Sequence, residues 1–318
     1  MKARFLVCVL MLLVLLSSSD GLAADPPPAP GKPAEAPAAD ELYDLGKSVF
    51  DQYAPAEVKE QYEFPSREQW DAFAVRLQQA LEKNDLGELA AFEPEARAAL
   101  PALRALPGYE DYADWLAARL DYIEAAKQAV KLPAAPPPTK RMPVVAVPYY
   151  ELWLQRVRAR PMPARAEELM PILRAAFAAE DIPPELAWLA EVESTLDPAA
   201  RSPAGAKGLF QLMPVTARAL GLSTLLPDER ADPTKSAHAA ARYLKSLRDK
   251  FGDWPLAFAA YNAGEGRVRR LLAAQRTKSF AGIADALPSE TRMYVPKVCA
   301  TIAVRTGLTP EKLAQPRG

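Results

Sequence analysis

The sequence predicts an all-α protein in two units, a small helical bundle followed by a mainly helical domain. Three observations carry this. Proline outnumbers glycine by 32 to 14, which disfavours long sheets and favours helices punctuated by Pro. No convincing run of alternating apolar and polar residues appears after Pro148. A stretch with five prolines, Leu132 to Pro143, divides the chain, and the charge changes sign across it. From Ala24 to Met142 there are 13 Lys and Arg against 21 Asp and Glu; from Pro143 onward there are 24 against 18. Half of the residues are hydrophobic, and 318 residues give room for two domains of ordinary size.

The first element is a leader, residues 1–23. Lys2 and Arg4 precede an apolar run from Phe5 to Leu16, and Gly21-Leu22-Ala23 offers small residues for cleavage after Ala23. This is the pattern of a secretory signal, and the run is short for a membrane-spanning helix. It places the protein outside the cytoplasm, in the periplasm or cell envelope. Loose membrane association follows if the leader is not cleaved. No Cys stands at the cleavage point, so a lipid anchor is not indicated.

Residues 24–39 are rich in Pro and Ala and read as a tether. Residues 40–132 carry helical patterning. Ser66 with Gln69 and Asp85 with Glu88 form capping boxes; the first precedes an apolar stripe of Trp70, Phe73, Leu77 and Leu81. A helix over Glu95–Ala105 stops at Pro107-Gly108. Another over Tyr112–Lys131 turns Trp115, Leu116, Leu120 and Ile123 inward. No motif in this bundle assigns it a role. Residues 133–147 form the linker.

In residues 148–318, helices are expected over Pro148–Arg158 and Ala166–Ala179. Others start at Pro183-Pro184, at Asp232-Pro233 and at Pro255. The helix after Pro184 carries two carboxylates. At 3.6 residues per turn, Leu186, Leu189, Ala190, Glu193 and Leu196 share one face, so Glu193 sits on the apolar stripe. Glu191 is turned away, toward Ala187 and Trp188. A carboxylate on an apolar face is partly desolvated, which raises its pKa and suits it to donate a proton. By itself the helix is equally compatible with a structural ion pair at Glu193.

The residues that follow carry more. Glu193-Ser194, Asp197-Pro198, Ala200-Arg201-Ser202, Gly205-Ala206, Gly208-Leu209 and Gln211-Leu212-Met213-Pro214 form a first motif. Ala260-Tyr261-Asn262-Ala263-Gly264 forms a second, and Glu290-Thr291-Arg292-Met293-Tyr294-Val295 a third. In order and spacing they resemble the soluble lytic transglycosylase domain family of lysozyme-like fold, over roughly Pro148 to Thr306. The resemblance implies that Glu193 is the catalytic acid. It implies that Ser202, Gln211 and Met213 bind or shape the sugar chain, and that Ala260, Tyr261 and Asn262 face the acid. It also implies that Glu290 and Tyr294 line the cleft. These residue types fit sugars: amides and hydroxyls bond sugar hydroxyls and N-acetyl groups, and Met and Tyr pack on sugar faces.

The implied reaction is cleavage of the β-1,4 bond between N-acetylmuramic acid and N-acetylglucosamine in peptidoglycan glycan strands without water, leaving a 1,6-anhydromuramyl end. It uses no metal and no organic cofactor. A hydrolase on the same fold, and a catalytically silent wall-binding or scaffold protein, are the rival readings. A hydrolase needs a second carboxylate across the scissile bond. Asp197 and Glu265 fall in turns, and Glu290 is the serious candidate. Through its N-terminal bundle the chain is placed to meet cell-wall synthesis or division proteins. The sugar-binding repeats that often follow this domain are not read in the sequence.

Other chemistry is excluded or disfavoured. One His and one Cys beyond the leader cannot build an ordinary zinc site. Cys8 lies in the leader and Cys299 is then alone, so no intramolecular disulfide is expected. The only His, His238, sits in an Ala-rich helix and reads as a surface or core residue, not as a triad member. The basic second unit suits an anionic polymer, and with an export leader and no nucleic-acid motif, nucleic acid is not the partner.

Overall fold

The computed structural model describes residue 51 and residues 85–94, 96–97, 100, 104, 110–132, 146–202 and 205–313. Among these residues every regular element is a helix. Two isolated antiparallel bridges, Arg201 with Lys207 and Lys207 with Leu212, provide the β pairing. The chain divides into two compact units, Met1–Val130 and Lys131–Gly318. The leader, the tether, the Ser66–Gln69 box with its apolar stripe, and residues 133–145 of the linker lie outside the described residues.

In the first unit, α1 (Leu86–Ala91) packs on α2 (Glu110–Ala129). Asp85 caps α1, but its carboxylate accepts from the Gly87 N–H at 2.6 Å, not from Glu88 as a capping box requires. Leu116, Leu120 and Ile123 are buried along α2, as their helical spacing predicts. The side chain of Trp115 and most of the expected Glu95–Ala105 helix lie outside the described residues. Glu93 accepts from Lys127 Nζ and Arg97 Nε, both at 2.9 Å, which ties α2 to the chain after α1.

The second unit holds α3 (Tyr150–Arg158), α4 (Ala166–Ala179), α5 (Leu189–Ser194), α6 (Pro214–Ala219), α7 (Pro233–Phe251), α8 (Trp254–Ala263), α9 (Glu265–Ala274), α10 (Phe280–Ile283) and α11 (Ser289–Thr306). Two starts fall where the sequence marks Asp232-Pro233 and Pro255. Asp232 accepts from the Lys235 N–H at 2.8 Å to open α7, and Asp253 accepts from the Leu256 N–H at 2.7 Å to open α8. Each is followed by a Pro in the first turn, where a missing N–H leaves no bond unmade.

α8 is apolar on every face, and residues 254 to 260 are all buried. It packs against α7 and α11. α11 in turn contacts α3 and α5, and α4 lies on α7. Trp153 of α3 is fully buried, with Lys297 Nζ of α11 5.5 Å from its ring centroid. This core fixes α5, α8 and α11, which carry the candidate site.

Three details depart from the sequence reading. The segment after Pro183 begins as a 3-10 helix, Pro184–Trp188, and only then becomes α5. α5 stops at Ser194, not near Pro198. Thr195 and Leu196 both take left-handed backbone, and the Leu196 N–H bonds back to Ala190 O at 3.2 Å. Leu196 is therefore buried just past the helix, not on its stripe. Glu265 does not stand in a turn; it opens α9 and pairs with Lys250 and Arg269, each at 2.6 Å.

Candidate active site

Glu193 is the penultimate residue of α5 and is half-buried. It accepts a hydrogen bond from the Tyr294 hydroxyl at 2.5 Å, 101 residues away on α11. A hydroxyl donated to one carboxyl oxygen leaves the other oxygen to carry a proton, and such bonds have a directional preference. They fix the carboxylate in one orientation. Tyr294 itself is buried, so its ring is packed in the core and its hydroxyl is the part that reaches the site.

Tyr261 of α8 is the second phenol at this place. Burial first, and then the charge of Glu193, push its ionisation well above the ordinary range for Tyr. Its hydroxyl donates to Phe210 O at 2.7 Å, and its ring lies 5.4 Å from that of Tyr243. Tyr261 is therefore a neutral donor spent on the loop beside Glu193.

That loop is the turn-rich segment after α5. Ser194 Oγ lies 3.0 Å from both Ala190 O and Leu209 O, so the residue after Glu193 joins helix and loop. Ser202 Oγ accepts from the Ala206 N–H at 3.0 Å. Gln211 stands in left-handed backbone, and its amide Nε2 donates to Gly208 O at 3.0 Å and Ala200 O at 3.3 Å. Met213 is half-buried at the N-cap of α6. Gly208 is required twice. Its φ is +81°, and a Cβ there would stand 1.9 Å from Arg230 O.

The structure thus brings Tyr294 and Tyr261 to Glu193, and it places Ser202, Gln211 and Met213 on the loop that continues from it. Asn262 Oδ1 accepts from Thr291 Oγ1 at 2.7 Å, which joins the second motif to the third. Glu290 is half-buried in the first turn of α11. Ala260 is fully buried; its side chain packs in the core and cannot meet a sugar.

Glu191 has a different fate. Arg305 Nη2 and Nε donate to its two oxygens at 2.7 and 2.9 Å, with both side chains largely buried. The hydrogen bonds to Glu191 raise the Arg305 ionisation further above its usual range. The guanidinium also lies 5.9 Å from the Trp188 ring centroid. The buried ion pair that the helix alone allowed at Glu193 is thus found at Glu191.

Sequence reasoning missed Arg305, Thr291 and the group formed by Lys207, Asp228 and Arg230. Thr291 stands inside the third motif, next to Glu290, which was a usable signal. Arg230 lies in Pro-Asp-Glu-Arg-Ala-Asp, which reads as a solvated charged turn. In the fold it is buried. His238 is half-buried with Nδ1 2.8 Å from Glu180 Oε1. Cys299 is a buried free thiol, and burial pushes its ionisation up. Among the described residues no cluster of three His, Cys, Asp or Glu could hold a metal. Nor is any described helix long and apolar enough to cross a membrane.

Residues 170–283, within the second unit, match the family model described as the transglycosylase SLT domain. The membrane-bound lytic murein transglycosylase D of Escherichia coli K12 is 41% identical over 140 residues, covering 43% of this chain and 31% of that protein. The soluble lytic murein transglycosylase of Salmonella typhimurium is 38% identical over 120 residues, covering 35% and 19%. Among solved structures, the 70 kDa soluble lytic transglycosylase of Escherichia coli aligns with a TM-score of 0.42 and 18% identity, over 87% of this chain and 62% of that one. The chain therefore spans less than a third of the length of these curated relatives.

Proposed function

We propose that this chain is a peptidoglycan lytic transglycosylase whose acid is Glu193. The observation that carries the reading is the setting of that carboxylate. It sits half-buried at the end of α5, oriented by the Tyr294 hydroxyl and beside Tyr261, within a matching transglycosylase domain. Glu193 donates its proton to the glycosidic oxygen as the C1–O bond breaks. The same group then takes the proton of the muramyl C6 hydroxyl, and that oxygen closes on C1. The nucleophile belongs to the substrate, so its proximity gives it a large effective-molarity advantage over water.

In this reading residues 148–318 do the chemistry and residues 1–23 direct export to the periplasm or envelope. Arg269 and Arg270, exposed on α9, add positive charge for an anionic wall polymer. The test is mass spectrometry of the muropeptides released from purified peptidoglycan by the purified protein. Anhydro-terminated fragments, lighter than hydrolysis products by one water and without a reducing end, are expected. Release of mainly reducing-end muramic acid assigns a hydrolase, and no release at all assigns a silent binder.

A further inference from the structure

We propose that Arg230 is a positioning residue that sets the glycine-rich loop, residues 205–212, against the Glu193 helix; the functional part of this inference rests on the reading above. Arg230 is buried, and its Nη1 donates to two carbonyls of that loop, Gly205 O at 2.7 Å and Leu212 O at 3.0 Å. Those carbonyls stand at the loop's two ends, so a single planar group fixes the width of its mouth. The rest of the fork is locked. Arg230 Nε and Nη2 donate to Asp228 Oδ1 and Oδ2 at 3.0 and 2.9 Å, and Lys207 Nζ adds a bond to Asp228 Oδ2 at 3.1 Å. The hydrogen bonds from Arg230, and then from Lys207, hold the Asp228 carboxyl well below the usual range, so the clamp keeps its charges across neutral pH.

The backbone of Arg230 acts on the same loop. Its carbonyl lies where a Cβ on Gly208 would stand, so loop and clamp are in direct backbone contact. On its other side the loop meets the site: Leu209 O meets Ser194, the neighbour of Glu193, and Phe210 O takes the Tyr261 hydroxyl. A shift at the Arg230 side is therefore delivered to both. Gln211, between those contacts and Leu212 O, moves with the loop. Lys cannot replace Arg here, because an ammonium is a point charge and cannot span two carbonyls and a carboxylate.

The experiment compares Arg230→Lys and Asp228→Asn with the unmodified full chain by amide hydrogen exchange and by peptidoglycan solubilisation. Arg230→Lys is expected to speed exchange of the Lys207, Gln211 and Leu212 amides at least tenfold while the α11 amides keep their protection. It is expected to lower kcat/KM at least tenfold, chiefly through KM. Asp228→Asn keeps both carbonyl contacts and gives a smaller change in the same direction, which decides the matter if Arg230→Lys does not fold. Unchanged loop exchange in a folded Arg230→Lys protein overturns the proposal, as does a loosened loop with unchanged kcat/KM. If the unmodified chain releases nothing from peptidoglycan, the enzymatic reading falls on its own account, and the clamp is then decided by the exchange data.

Discussion

The two sides of α5 make opposite use of the same side chain. On one side Glu191 is buried against a guanidinium that takes both its oxygens. On the other, two residues later, Glu193 is half-buried and takes a phenol hydroxyl. Position on an apolar stripe does not separate them: Leu189 and Ala190, on the Glu193 face, are buried, and so is Val192, which lies between the two carboxylates. What separates them is the partner. An Arg fork satisfies and neutralises a carboxylate, whereas a neutral hydroxyl orients it and leaves its proton chemistry available. The lesson is that a helix face selects where a carboxylate goes, and distant residues select what it does.

The largest effect that tests this contrast is on turnover. Glu193→Gln is expected to lower the rate of peptidoglycan solubilisation by about 10²–10⁴, with the melting temperature within a few degrees of the parent. Glu191→Gln is expected to keep the chemistry in whatever fraction folds. Reversed outcomes, with Glu191→Gln the inactive folded protein, would exchange the roles of the two sides.

The second effect is on stability and belongs to the Arg305 side. Removing either partner of a buried pair leaves an uncompensated charge and costs about 3–5 kcal/mol. Arg305→Ala and Glu191→Ala should each lower the denaturation midpoint of the second unit strongly. Replacing the pair together by Met and Leu should recover most of the loss. A double-mutant cycle in urea measures it, and independent, additive losses would show that the two residues do not act as one unit.

These partners explain what the sequence could and could not disclose. Helix starts were legible because their signals are local. Asp232 and Asp253 act on amides three residues away, and Pro233 and Pro255 lie in the first turns. The end of α5 was not legible. Asp197-Pro198 pointed three residues too far, and the turn is made by Thr195 and Leu196 in left-handed backbone with no Gly to announce it. Of the site, the motifs that bear Glu193, Tyr261 and Tyr294 were marked by their resemblance to a known domain, but the assignment of bonds was not legible. Tyr294, not Tyr261, bonds Glu193, and Tyr261 bonds the loop. Arg230 was invisible because charged turns are ordinarily solvated, and only the fold closes this one over two carbonyls.

A smaller effect sharpens the Glu193 side. Tyr294→Phe keeps the buried ring and removes only the hydroxyl that orients the acid. As the acid gives up its proton it becomes charged, and a hydrogen bond to a charged group contributes about 1.5–3 kcal/mol, so turnover is expected to fall roughly tenfold to a hundredfold with KM little changed. Steady-state kinetics on soluble peptidoglycan fragments separate the two parameters. A KM effect alone would make Tyr294 a substrate contact and not the orienting group.

The smallest effect is expected at Glu290, and it decides what kind of chemistry α11 supports. Glu290 and Tyr294 are four residues apart on one helix, so their side chains project from the same face, with Cβ atoms about 5–6 Å apart. Tyr294 touches Glu193. Glu290 thus stands one helical turn from a group that contacts the acid, close enough to be the second carboxylate of a hydrolase. In a hydrolase that carboxylate activates water or attacks C1, and Glu290→Gln would lower the rate about a hundredfold or more. In a transglycosylase the attacking oxygen is the substrate's own, and a carboxylate on this face has only binding to do. Glu290→Gln should then lower kcat less than tenfold, raise KM, and leave the released fragments anhydro-terminated. Rate and fragment mass are read in the same digest. A large loss of kcat together with reducing-end products from the parent would give α11 a catalytic carboxylate, and the reaction on this side of α5 would be hydrolysis.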